Sequence, residues 1–342
     1  MNLEIAAKME KDPESIKMIS GAMQQLKIGN PGDAQSKVDE AIDKISNQIP
    51  FLISADPFRP KEGASEVIKL ALSGAKKQFE LQHGKSNDHV LVEVRGDGNC
   101  GKRTLMFSAL IQASILINST DQGLQQRGKE ILSRIREAEG NLLAQYDNKI
   151  HEGKSYRELF ANQINNIPED RTTGNEFTEQ SGNVTKLLDK IESGQVGVMY
   201  LAKLANSDVR DVSVEHSGLN IALAELASCM MYMGCNVKSL EEAGVKDGVK
   251  GRILSMSKQD SDVIDRQGFC DYLGIHGKNF YIDNNGQSGV TDEVIEQNKG
   301  KFDINYITTE EHTRMIISGQ DFQIMQKEIT EYCKYVETRA KW

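Results

Sequence analysis

The stretch VLVEVRGDGNCGKRTLMFSALIQASIL, residues 90–116, constrains this chain more than any other. HVLVEV, at 89–94, is a valine-rich and nearly unbroken apolar run, which predicts a strand buried on both faces. Residues 102–117 carry Met106, Leu110, Ala113 and Ile117 on one helical stripe and Phe107, Ile111 and Ile115 on another. A helix apolar on nearly all sides belongs inside a fold. RGDGNCG therefore turns a buried strand into a buried helix. Two unrelated chemistries use such a turn, phosphate binding and nucleophilic attack by a thiol.

A phosphate-binding loop needs GxxxxGK followed directly by Ser or Thr, because the hydroxyl ligates magnesium while backbone amides and the lysine hold phosphate. Gly96, Gly101 and Lys102 fit, but Arg103 occupies the hydroxyl position and Thr104 comes one residue late. One residue is about 100° of helical rotation, so Thr104 points away from the place the metal would take. Asp283, at the end of NFYID, is the best second acidic site, and the NNG after it reads as a hairpin turn. The chain also lacks the regular strand–helix alternation of nucleotide folds. The phosphate-loop reading is the weaker one.

The thiol reading puts Cys100 at a helix start, where unpaired N–H groups and the helix dipole stabilise an anion. Lys102 and Arg103 add positive charge. Gly96 and Gly98 allow a turn tight enough to aim amide donors at one oxyanion. A thiol nucleophile also requires a base. Of the six histidines, His83 and His89 flank a polar turn, and His151 and His216 lie in polar stretches. His276 precedes a strand, whereas His312 opens the strand TRMIIS after a turn from INYIT. A strand holds a base rigidly, which favours His312.

The formal charge of −9 argues against a nucleic-acid partner, since phosphate contacts need basic surface. The cysteines, at 100, 229, 235, 270 and 333, show no CxxC spacing, so no metal site is expected and reduced thiols point to an intracellular site of action. No run approaches the ~18 apolar residues of a membrane span. The N-terminal residues lack the apolar core of a secretory signal.

Helical periodicity at Ile16, Ile19, Met23, Leu26 and again at Val38, Ile42, Ile45, Ile49, with a third helix over 64–81, predicts a helical region spanning 1–84. Residues 119–256 read as a long helical insertion, with a loop at 168–183 and the apolar helix SGLNIALAELASCMMYMGCNV at 217–237. From 257, DRQGFCDYLGI predicts a helix, NFYID and INYITTEEHTRMIIS predict strands, and FQIMQKEITEYCKYVETRAKW predicts a closing amphipathic helix. The expected class is α+β, with a small β core split by the insertion.

At these residues the sequence resembles the ovarian-tumour (OTU) family of cysteine proteases. GDGNCGKR is similar to the family's D-G-x-C loop, with Asp97, Gly98 and Cys100 at the fixed positions and Arg103 at a frequent arginine. The strand–turn–His–strand around His312 matches the family's C-terminal pattern, so the resemblance covers about 90–118 and 257–318. It implies a papain-like OTU core, with a small central sheet packed by helices, formed from 85–118 and 257–342. It makes 119–256 the ubiquitin-binding lobe. The implied activity is hydrolysis of isopeptide bonds at the ubiquitin C-terminus, with ubiquitin or polyubiquitin as partner and neither metal nor cofactor. Cys100 would be the nucleophile and His312 the base, with Asp97 organising an oxyanion loop that includes Gly98 and Asn99.

Two departures stand out. Family members place an aromatic and then Asn or Asp after the histidine, where this chain has Thr313 and Arg314. The third member of the triad is therefore open, with Glu93, Glu310 and Glu311 near in sequence. A binding protein of the same fold with a vestigial site is the alternative that this gap motivates. The long insertion resembles OTU-type effectors of intracellular bacteria, which implies action in a host cytosol after export without an N-terminal signal.

Overall fold

The computed structural model describes residues 52–54, 58, 63–83, 90–92, 94, 99–151, 153–160, 176–205, 214–234, 263–282, 288–293, 303–309 and 312–317. The periodic segments at 16–49, the closing helix after 318, Asp283 and the loop residues Asp97 and Gly98 lie outside them. Glu93, Glu310 and Glu311 do as well.

The centre is a six-stranded mixed sheet. Its strands are β1 (Leu52–Ser54), β2 (Val90–Val92), β5 (His276–Ile282), β6 (Ser288–Glu293), β7 (Asp303–Thr309) and β8 (His312–Ile317), in the order β1-β2-β8-β7-β5-β6. All neighbours are antiparallel except β5 and β7, which run parallel with Ile282 opposite Thr309. A small hairpin of β3 (Lys149–His151) and β4 (Lys154–Ser155) stands apart. The fold is α+β. One parallel pair in six strands is not the doubly wound parallel sheet of nucleotide folds, which removes the setting the phosphate-loop reading needs.

Strand alternation gives the sheet two apolar faces. One row, Ile304, Tyr306, Met315 and Ile317, joins the larger core with α2 (Cys100–Ile117). The other, Phe280, Ile307 and Ile316, packs with Phe58 and with Ala71, Leu72, Ala75 and Phe79 of α1 (Glu66–His83). The Phe79 ring lies 4.9 Å from Phe280 and 5.2 Å from Phe58, centroid to centroid. Such ring pairs add about 0.5–1.5 kcal/mol each beyond their area. α1 and β1, both before residue 84, belong to the sheet layer. β1 is also a strand within a stretch read as helical, because three residues are too few for period-2 alternation to register.

Beyond the larger face lie α3 (Gln122–Gln145), α4 (Tyr156–Phe160), α5 (Glu176–Glu192), α6 (Val198–Ala205), α7 (Val214–Gly234) and α8 (Val263–Leu273). The expected loop at 168–183 ends earlier, with α5 beginning at Glu176. α3 is capped by Asp121, whose Oδ1 accepts from the Gly123 and Leu124 amides. It runs close against α2 because Gly128 faces Ile117 and the Ala113 carbonyl, where a Cβ would collide. α7 and α8 touch through Gly234, whose missing Cβ would overlap the Gly268 carbonyl. Residues 219–231 of α7 are buried without interruption, so this apolar helix is core. Among the described residues no helix is long and apolar enough to cross a membrane.

Candidate active site

Cys100 is the first residue of α2 and is 1% exposed. The Arg103 amide donates to the Asn99 carbonyl at 3.0 Å, the first intrahelical bond. The Asn99 side chain makes no cap bond to the α2 amides. Its Oδ1 instead accepts from Lys102 Nζ at 3.0 Å. An N-cap side chain ordinarily consumes one first-turn donor. Here it is held by a lysine instead.

Lys102 and Arg103 are 1% and 0% exposed. Burying cations is costly, and at a helix N-terminus the dipole opposes them as well. Both side chains are therefore placed at a cost in stability that ordinary core residues would avoid. Arg103 Nε donates to Oδ1 of Asn220 in α7. The sheet side of α2 is held differently: Thr104 Oγ1 donates to the Thr313 carbonyl at 3.3 Å, in a buried bond. Thr104 lies one turn, ~6 Å of rise, beyond Cys100.

His312 is the first residue of β8, half-buried, and pairs with Thr309. The Thr104–Thr313 bond thus ties the Cys100 end of α2 to the residue next to His312. Alternation puts the His312 side chain in the row of Arg314 and Ile316, while Thr313, Met315 and Ile317 form the row towards α2. A Cys100–His312 dyad has to form at the end of the strand, not across the face of the sheet.

The other histidines fall elsewhere. His276 opens β5, six residues from Ile282, which is opposite Thr309. That is about 20 Å along the sheet from the end where Thr309 pairs with His312. His83 ends α1, His151 ends β3, and His216 lies in the first turn of α7. His89 is outside the described residues. No group of three His, Cys, Asp or Glu side chains fit to hold a metal occurs among the described residues.

Sequence reasoning missed a polar track on the α2 side of the sheet. Thr308 Oγ1 donates to Asn279 Oδ1 at 3.0 Å and lies 3.3 Å from Thr313 Oγ1. Asn279, 2% exposed, thereby fixes the β7–β8 end that carries His312. Nothing in the spacing of 279, 308 and 313 would have joined them, since β5 and β7 meet only through a parallel crossover.

Two further buried thiols provide a contrast. Cys229 Sγ lies 3.8 Å from the Tyr156 hydroxyl and 3.6 Å from Met233 sulfur, and burial pushes its thiol up to about 12. Cys270 is wholly buried in α8.

No family model matches the chain, and no curated protein matches its sequence. Among solved structures, a chain of an h/ceOTUB1–ubiquitin aldehyde–UBCH5B~Ub structure matches with 15% identity and a TM-score of 0.45. The match covers 83% of this chain and 95% of that one. A chain of a ceOTUB1–ubiquitin aldehyde–UBC13~Ub complex matches with 16% identity and a TM-score of 0.46, over 82% of this chain and 98% of that one.

Proposed function

We propose that this chain is a cysteine-dependent ubiquitin isopeptidase of the OTU type. The observation that carries the reading is the anchoring of the Cys100 end of α2 to the β8 backbone beside His312 through Thr104 and Thr313. In this reading the thiol, the helix-end amides and the candidate base meet beyond the Thr309–His312 end of β7 and β8.

In this reading His312 takes the Cys100 proton, and the thiolate attacks the carbonyl carbon of the terminal ubiquitin glycine. Negative charge collects on the carbonyl oxygen, where the α2 amides and the loop of Asp97, Gly98 and Asn99 stabilise it. The C–N bond breaks, and the lysine amine leaves with the proton that His312 returns. Water then attacks the thioester with His312 as base, releasing the ubiquitin carboxylate and the free thiol. The helices between α2 and α8 serve as the ubiquitin-binding side. A host cytosol remains the proposed place of action.

A ubiquitin probe bearing a C-terminal electrophile tests this. Wild type forms a covalent adduct and Cys100→Ala forms none. An adduct that persists in Cys100→Ala moves the nucleophile elsewhere, and ubiquitin binding without adduct or cleavage leaves a non-catalytic binder.

A further inference from the structure

The geometry points to Asn220 and Arg103 as a positioning pair that holds the nucleophile turn against the helices packed behind it. The role concerns the site described above and rests on Cys100 being the nucleophile.

Arg103 is wholly buried three residues after Cys100, and Asn220 is wholly buried in the most apolar stretch of α7. Each breaks a local rule. A guanidinium inside a core costs several kcal/mol of desolvation unless its donors are met. An amide within an apolar helix face carries the same liability on a smaller scale. Rule-breaking of this kind collects at functional sites.

The two groups answer each other and a third element. Asn220 Oδ1 accepts from Arg103 Nε, so its amide nitrogen faces the other way. Nδ2 donates to the Leu204 carbonyl at 2.6 Å and to the Ala205 carbonyl at 3.2 Å. These are the last carbonyls of α6, which have no partner within their own helix. One side chain therefore ties α2 to α7 and caps α6. With the Thr104–Thr313 bond on the sheet side, α2 is gripped from both flanks within one turn of Cys100.

A hydrogen bond from a planar guanidinium has direction, which apolar packing lacks. Its loss lets the α2 end rotate or slide without unfolding the core. Displacement of a nucleophile by about 1 Å costs on the order of 100-fold in rate.

The test uses the double variant Arg103→Met/Asn220→Leu in the full chain. The double change strands neither partner against the other, but it also takes the donor from the Leu204 and Ala205 carbonyls, so denaturant unfolding is measured beside activity. With a ubiquitin C-terminal fluorogenic amide, the expected result is kcat down about 10- to 100-fold with KM little changed. In parallel, alkylation by iodoacetamide is followed at each cysteine by peptide mapping. Cys100 is expected to react about tenfold faster as its turn loosens, while Cys229 and Cys270 stay protected.

Wild-type kcat together with wild-type alkylation at Cys100 would overturn the proposal. So would a uniform rise at all three cysteines, which marks a plain fold element. If wild type shows no turnover at all, the isopeptidase reading fails by itself, and the selective change at Cys100 still decides the positioning role.

Discussion

Cys100 and Cys229 are equally buried, each in a helix that is apolar nearly all round, yet their surroundings are opposite. Cys100 begins α2, with amides, Lys102 and Arg103 around the helix end. Cys229 sits inside α7 among Tyr156, Met233 and Leu or Ala side chains, and its thiolate is disfavoured by desolvation first. Burial alone therefore says nothing about reactivity. A thiol's reactivity depends on its place on the helix and the charge near that place, and on the proposed reading this is what sets Cys100 apart from Cys229.

The sharpest way to break the comparison is substitution at the two thiols. Cys100→Ala is expected to abolish labelling by the ubiquitin probe, while Cys229→Ala keeps it and loses only stability. Labelling that tracks Cys229 would invert the contrast. Next in size is His312→Ala, expected to lower kcat by about 10²- to 10⁴-fold with little change in KM. A fall under about threefold would remove His312 from the role.

Thr104→Val probes the sheet-side grip. It leaves the Thr313 carbonyl without its hydroxyl donor and should cost about 1–2 kcal/mol in denaturant unfolding, with Thr104→Ser restoring most of it. Equal stability of the Val and Ser variants would show the bond to be idle.

Alkali sharpens the Cys229 side. Its folded-state thiol is raised from 9.0 to about 12, so the fold favours the protonated form. That contribution is complete below pH 9 and is lost as pH rises towards 12. The Tm should fall above pH 9, and less steeply in Cys229→Ala; identical alkaline slopes would refute the assignment. Tyr156, also raised by burial, adds to the same slope.

The smallest expected effect is local and acidic. Ser155 and Glu158 form a capping box on α4: the Ser155 amide donates to Glu158 Oε2 at 2.7 Å, and the Glu158 amide donates to Ser155 Oγ at 3.3 Å. Lys149 Nζ also donates to that carboxylate, which holds Glu158 down to about 2. A depressed carboxylate stabilises above its ordinary value of 4.5, and the effect is lost as pH falls towards 2. Amide exchange in 149–160 should quicken over that window in wild type and not in Glu158→Gln. The change should leave Cys100 untouched.

Much of this could be read along the chain. α2 was expected from its apolar stripes, α8 from DRQGFCDYLGI, and β5, β7 and β8 from short apolar runs, because each pattern lies within one element. β1 and β6 were missed. β1 is three residues long, and SGVTDE in β6 has neither alternation nor β-branched bulk enough to stand out. His312 was singled out as the opening residue of a strand, which it is, yet its neighbours across the sheet were not legible.

Local sequence by itself determined that a buried helix would begin close to Cys100, since helical period acts over a few residues. Tertiary structure alone decided what grips that helix. Arg103 meets Asn220 across 117 positions, and Thr104 meets Thr313 across 209. It also set His312 in the row of Arg314, through a register that no period in the chain encodes. Such pairs form only when strands and helices far apart in sequence are brought together by burial of their apolar faces, and burial is indifferent to which polar groups it aligns.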